Sequence, residues 1–156
     1  MPETYWIDRF EIEGLYVRYC DLVDSKRFDE LGDVFMEEAT GDYTQALGPG
    51  VISPNLKSLV ASMHLNLGEG SNCGATHHNV GNFTIDIDID GNSASTKVHY
   101  YAVHRGINDC AGALYSMWGQ YEDRLEKTAA GWRVKARVYK CFLSEGPAAV
   151  VSASVR

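Results

Sequence analysis

Residues 82–90 read NFTIDIDID. Phe83, Ile85, Ile87 and Ile89 alternate with Thr84, Asp86, Asp88 and Asp90, a period of two that places apolar and acidic side chains on opposite faces of a β-strand. The turn signal Asp90-Gly91-Asn92 follows directly. The six residues DIDIDG (86–91) also open like an EF-hand calcium loop. The twelfth position of such a loop needs a bidentate glutamate, and here it is Lys97. The aspartates are therefore read as the solvated face of a strand.

Working outward, the pattern after Gly70 stays strand-like. Residues 94–105 (ASTKVHYYAVHR), 112–126 (GALYSMWGQYEDRLE) and 131–143 (GWRVKARVYKCFL) are three further strands, divided by Gly106–Gly112 and Thr128–Gly131. Before Gly70 the period is helical. Ile12, Leu15, Tyr16, Tyr19, Leu22 and Val23 predict a first helix from Glu3 to about Lys26, and Phe28, Leu31, Val34 and Phe35 a short second one. GDYTQ (41–45) is read as a short strand. In SPNLKSLVASMHLNLG, Ser53 is read as N-cap, Pro54 as first helical residue and Gly68 as the stop. Helices first, then a meander of long antiparallel strands, make an α+β domain with helices on one face of a curved sheet. That order predicts a cone with a closed-bottom cavity, the kind of place where small apolar ligands bind. Residues 1–143 form one domain; 144–156 lose the period and read as a tail that frays or docks on a neighbouring subunit.

The 156 residues, 45% hydrophobic and 22% charged, suit a globular chain with a real core. A net charge of -7 argues against nucleic acid and anionic membranes as partners. The start, MPETYWIDRFEIEG, has no apolar h-region, and no stretch is long enough to span a bilayer, so a cytoplasmic location is expected. Cys20, Cys73, Cys110 and Cys141 form no C-x-x-C pair and read as free thiols. No P-loop, G-x-G-x-x-G, G-x-S-x-G or H-E-x-x-H occurs. The chemistry that remains is acid–base catalysis by His, Asp and Tyr without a cofactor or metal.

Candidates for that chemistry divide by geometry. At about 100° per helical residue, Asp21 lies opposite the Tyr16/Tyr19 stripe, whereas Asp24, at the last turn, can swing inward. His77 and His78 are adjacent, so a regular strand turns only one of them inward. Parity counted from Phe83 favours His77; a bulge at Val80-Gly81-Asn82 would reverse it in favour of His78. His104 either caps a strand end or lines the cavity. Arg137, counted from Trp132 and Val134, reads as a solvated edge charge. Nine Tyr, three Trp and five Phe suit a cavity for a flat or cyclic apolar ligand as well as an ordinary core.

The stretches LYVRYCDLVDSKRFDELGDVF (15–35), GDYTQ (41–45), THHNVGNFTID (76–86), YAVHRG (101–106) and GWRVKAR (131–137) together resemble the SnoaL-like branch of the NTF2-like superfamily. The chain is most similar there to scytalone dehydratase, hexachlorocyclohexane dehydrochlorinase and the bacterial bile-acid dehydratase. DSKRFDEL resembles the segment that carries a catalytic aspartate, which falls on Asp24. The intervals from it point to His78 as the base, through H-x-x-x-N from His78 to Asn82, and to Tyr43 as a water-holding tyrosine. His104 matches a second histidine, Arg137 the dehydrochlorinase arginine and Tyr19 a tyrosine of the bile-acid dehydratase. The chain departs where a second water-holding tyrosine would fall on Val23 and a lysine on Tyr19. The resemblance implies a cofactor-independent lyase in which His78, paired with Asp24, removes a proton and drives β-elimination, a dehydration, on a small cyclic or polyketide-like substrate. Tyr43, Tyr19 and His104 are implied to polarise a carbonyl or protonate a departing hydroxyl, and Arg137 to stabilise an anion. A polyketide cyclase, a double-bond isomerase or a dehydrohalogenase would use the same base, and a non-catalytic binding module would share the fold. A homo-oligomer, trimer or dimer, is implied as well.

Overall fold

The structure is a computed structural model and describes residues 3–155. Helix α1 (Tyr5–Asp24) buries Ile12, Leu15, Tyr16, Tyr19, Leu22 and Val23, the stripe that the period predicts. It stops at Ser25 and at Lys26, whose φ of 57° is left-handed. The short second helix is a 3₁₀ turn, Phe28–Asp33, with Phe28 and Leu31 buried.

Two expectations fail in the next stretch. The strand β1 is Phe35–Asp42, so only the first two residues of GDYTQ belong to it. The Asp42 carboxylate accepts the Thr44 amide (3.0 Å) and turns the chain out of the ladder, and Tyr43 becomes the N-cap of a four-residue helix, α2 (Thr44–Leu47). Ser53 does not cap the third helix either. It pairs with Gly41 in the two-residue strand β2 (Ile52–Ser53). The cap of α3 (Leu56–Leu67) is Asn55, whose side chain accepts the Ser58 amide at 2.9 Å.

The meander follows as β3 (Cys73–Ile87), β4 (Ser93–Gly106), β5 (Leu114–Thr128) and β6 (Gly131–Glu145), each antiparallel to the next. β1 adds to β6 in parallel, giving the order β2-β1-β6-β5-β4-β3. The result is a mixed α+β domain whose helices pack on one face of a curved, unclosed six-stranded sheet. The NFTIDIDID pattern outlasts its strand: β3 ends at Ile87, and Ile89 is 98% exposed in the turn to β4.

Two register shifts decide which side chains face inward. One lies between Gly81 and Thr84 of β3, at Asn82 with φ 49°. The other sets Val134 and Ala136 of β6 against the consecutive residues Leu125 and Arg124, so that Lys135 is the extra residue. Each inserted residue flips the parity of the strand beyond it.

The tail also has a different fate from either one expected. After Gly146 (φ 94°) the chain forms a 3₁₀ turn, Ala148–Val151, and buries Val150 and Val151 in its own core. Ser152 carbonyl accepts the Asn72 amide (2.8 Å), and Ser71 bridges Ala153. A Cβ on Gly146 would meet the Leu114 carbonyl oxygen at 2.0 Å, in a backbone region that disfavours side chains. Gly146→Ala is therefore expected to lower the unfolding free energy by more than about 1 kcal/mol in urea titration. Equal midpoints would show that the tail contributes nothing to the fold.

Candidate active site

The last turn of α1 points Asp24 at the outer strand β3, whose other edge carries β4. The amide of His78 and its ring are both presented to that carboxylate. Oδ2 accepts the His78 backbone N–H at 2.9 Å; Oδ1 accepts His78 Nδ1–H at 2.6 Å and the Thr76 hydroxyl at 2.8 Å. Burial alone would raise the Asp24 pKa, but the bonds and charge of His78 and the Thr76 hydroxyl outweigh it and hold the group lowered and ionised. A carboxylate only accepts, so Nδ1 of His78 bears a proton, and in the neutral ring the lone pair falls on Nε2.

The parity question has a definite outcome. The His78 side chain is 6% exposed and lines the cavity, whereas His77 is 66% exposed and its Nδ1 lies 4.0 Å from Asp24. The residue inserted near Asn82 is the physical reason: even positions face inward before it and odd ones after it. Asp21 is solvent-facing, in an ion-pair cluster with Arg18 and Arg27.

Facing His78 from β4 is His104, the rings perpendicular with centroids 5.7 Å apart. Its Nδ1–H donates to the Tyr115 carbonyl at 3.1 Å. Burial, and then the neighbouring His78, depress its pKa to about 4, so His104 is neutral at ordinary pH. With its Nδ1–H given to Tyr115, the neutral ring has an acceptor at Nε2.

Tyr19 from α1 and Tyr43 at the head of α2 also line the cavity, their hydroxyls 3.5 Å apart. Tyr19 stands edge-on to His78 at 6.5 Å, and Tyr43 packs on Tyr139. Burial pushes the Tyr19 phenol well above its ordinary pKa, so it stays a donor.

Arg137 is neither a solvated edge charge nor part of the cavity wall. The extra residue Lys135 turns it inward, behind Tyr19. It donates to both oxygens of Asp123 (Nε 2.9 Å, Nη2 2.7 Å) and stacks on Tyr121 at 4.1 Å and Tyr19 at 4.4 Å. Nη1 has no hydrogen-bond partner among the described residues. Sequence reasoning missed Asp123, although it falls on the inward parity of Tyr115, Met117, Tyr121 and Leu125 in β5. It also missed Thr76, two residues before His78 on the same face of β3, for which no sequence signal exists.

Tyr139, whose hydroxyl points to the Met117 sulfur at 3.6 Å, completes the polar lining, and the remaining walls are apolar, among them Val23, Met63, Leu67, Met117, Leu47 of α2 and Val151 of the tail. About 30 Å³ is open to the centre of a water molecule, room for roughly two waters. Among the described residues no group of three His, Cys, Asp or Glu side chains is placed to hold a metal, and no helix is long and apolar enough to cross a membrane. A buried neutral histidine has a pH signature. The unfolded chain takes up a proton near pH 6.5 that folded His104 refuses until about 4, so stability falls as pH drops through that window, by on the order of 3 kcal/mol. His104→Phe is expected to flatten the pH dependence of urea unfolding between these values. An unchanged slope would refute the assignment.

Comparison with known proteins agrees with this architecture. The SnoaL-like domain family matches residues 5–138. An uncharacterized protein of Mycobacterium tuberculosis is 34% identical over 137 residues, covering 86% of each chain. Among solved structures, a Kribbella flavida protein superposes with a TM-score of 0.82 at 25% identity, over 94% of this chain and 98% of its own. A Novosphingobium aromaticivorans protein provisionally described as a scytalone dehydratase gives 0.81 at 19%, over 99% and 97%. The hexachlorocyclohexane dehydrochlorinase of Novosphingobium barchaimii gives 0.74 at 10%, over 92% of both chains. The last two share the fold. With residues 5–138 accounted for by one family and the helix-and-sheet plan shared with its structures, the chain belongs to the SnoaL-like family of the NTF2-like superfamily.

Proposed function

We propose that the protein is a cofactor-independent lyase that eliminates water from a small cyclic or polyketide-like ketone. The observation that carries this reading is the Asp24 carboxylate, held by three donors, which leaves His78 Nε2 as a free base in an apolar cavity. His78 Nε2 takes a proton from the carbon beside a carbonyl. The C–H electrons form the new double bond as the β carbon–oxygen bond breaks, and the imidazolium returns its proton to the departing hydroxide as water. Asp24 stabilises the transient imidazolium. The Tyr19/Tyr43 pair donates to the carbonyl oxygen as enolate charge develops.

Since His104 is neutral, His78 is the group that both takes and returns the proton. A single base of this kind also fits a double-bond isomerisation, in which the proton returns to another carbon. Product mass separates the two: elimination loses one water and isomerisation loses nothing. A dehydrohalogenase reading is weaker, since Arg137 lies behind Tyr19 rather than on the cavity wall. A homo-oligomer is supported by the large apolar side chains left exposed, Trp6 and Phe10 on α1 and Phe142 and Leu143 on β6.

Asp24→Asn and His78→Ala are each expected to reduce turnover of an accepted cyclic hydroxyketone roughly 10²–10⁴-fold, followed by mass spectrometry of the dehydrated product. If both variants keep full turnover on every accepted substrate, the dyad mechanism is wrong. A chain that binds such ligands without converting any is a binding module.

A further inference from the structure

We infer that His104 is an obligate hydrogen-bond acceptor that selects ligands bearing a hydroxyl group, one that the reaction keeps. The Tyr115 carbonyl can only accept, so it holds the His104 proton on Nδ1 and leaves a lone pair on Nε2. Among the described residues no side chain donates to that nitrogen. Asp24 imposes the same tautomer on His78. With both rings in the neutral form, the cavity contains two imidazole lone pairs on rings 5.7 Å apart, and two acceptors cannot satisfy each other.

His78 meets the carbon acid. His104 needs a donor, and the hydroxyls that line the cavity are engaged elsewhere, Tyr19 with Tyr43 and Tyr139 with the Met117 sulfur, while the other walls are apolar. Water can fill that role in the free protein. A ligand without a donor would displace the water and leave Nε2 unpaired, at a cost that a hydroxyl avoids. This hydroxyl is distinct from the departing one: a leaving hydroxide has to gain a proton, and an acceptor beside it would oppose that. A phenolic or enolic hydroxyl, carried through to the product, fits. The inference rests on the lyase reading for its statement about the substrate; the recognition of a hydroxyl does not.

Equilibrium binding of phenol and toluene, rings of similar size with and without the donor, tests it without turnover. The ratio of their dissociation constants is compared between the full-length protein and His104→Phe. Contacts of the phenol hydroxyl with Tyr19 or Tyr43 are common to both proteins and cancel. The phenol preference is expected to drop roughly ten-fold in the variant. In the unmodified protein, the ¹⁵N signal of His104 Nε2 is expected to move when toluene displaces the water that donates to it and to stay near its water-bonded position when phenol takes the water's place, a readout that stands even if the variant folds poorly. An unchanged ratio, an Nε2 signal that responds alike to both rings, or a cavity that takes up neither ring would overturn the inference. Failure of the dyad variants to lose turnover, with the phenol preference intact, would sink the lyase reading and leave the hydroxyl recognition standing.

Discussion

The site depends on one carboxylate reaching from the end of a helix to the edge of a sheet. Asp24 takes three hydrogen bonds from two residues of β3, and two of them come from His78 itself. The backbone bond is the less obvious of these. β3 is the outer strand, so amides on its free side have no ladder partner, and an unpaired N–H is costly when buried. Asp24 satisfies one of them and, with its other oxygen, fixes the ring of the same residue. His78 is thereby held by its main chain and its side chain at once, and ring rotation would break the shorter bond. A charged acceptor makes such bonds stronger than neutral ones, which is why the carboxyl stays ionised although half-buried.

Behind this arrangement lies a second charge, which organises the core rather than the cavity. Arg137 and Asp123 are both fully buried, and removing either partner of such a pair strands the other at a cost of about 3–5 kcal/mol. The guanidinium is covered by aromatic faces, Tyr121 and Tyr19 most closely, and Asp123 also accepts the Tyr16 hydroxyl at 2.8 Å. Two tyrosines of α1 are thus tied to one ion pair on β5 and β6. Tyr19 turns its ring toward that cation and its hydroxyl toward Tyr43. Cation and phenol act on the cavity through the same side chain.

How much of this was legible in the sequence follows from the range of the forces involved. The α1 stripe and the four long strands came from local periodicity, and the structure has them. The helix cap did not: Ser53 and Asn55 are both good caps, and what separates them is the pairing of Ser53 with Gly41, a contact across the fold. Strand parity failed at His78 and Arg137 for a shared reason. Regular alternation turned both outward, and a single extra residue in each strand, near Asn82 and at Lys135, turned both inward. Glycine beside Asn82 gave a hint of the first; nothing in GWRVKAR announced the second. The intervals shared with related enzymes pointed to His78 where parity did not. For Arg137 they named a residue that the fold sets behind the cavity wall.

The two histidines show how little sequence alone says about proton chemistry. They stand 5.7 Å apart in one apolar cavity, and their partners assign them different work. A carboxylate bonded to Nδ1 of His78 would compensate the charge of a protonated ring. A carbonyl dipole behind His104 fixes the tautomer without supplying a full negative charge, and burial then keeps the ring neutral down to about pH 4. Exchanging the partners would exchange the roles, with neither histidine moved. The small volume matters to both: there is room for only about two waters beside the two rings. A ring-sized ligand needs Leu47, Leu67 or Val151 to give way. Val151 is the one carried on the chain's final 3₁₀ turn, which hydrogen-bonds to the loop before β3. The segment that read as a loose tail therefore supplies part of the wall of the cavity that both imidazoles line.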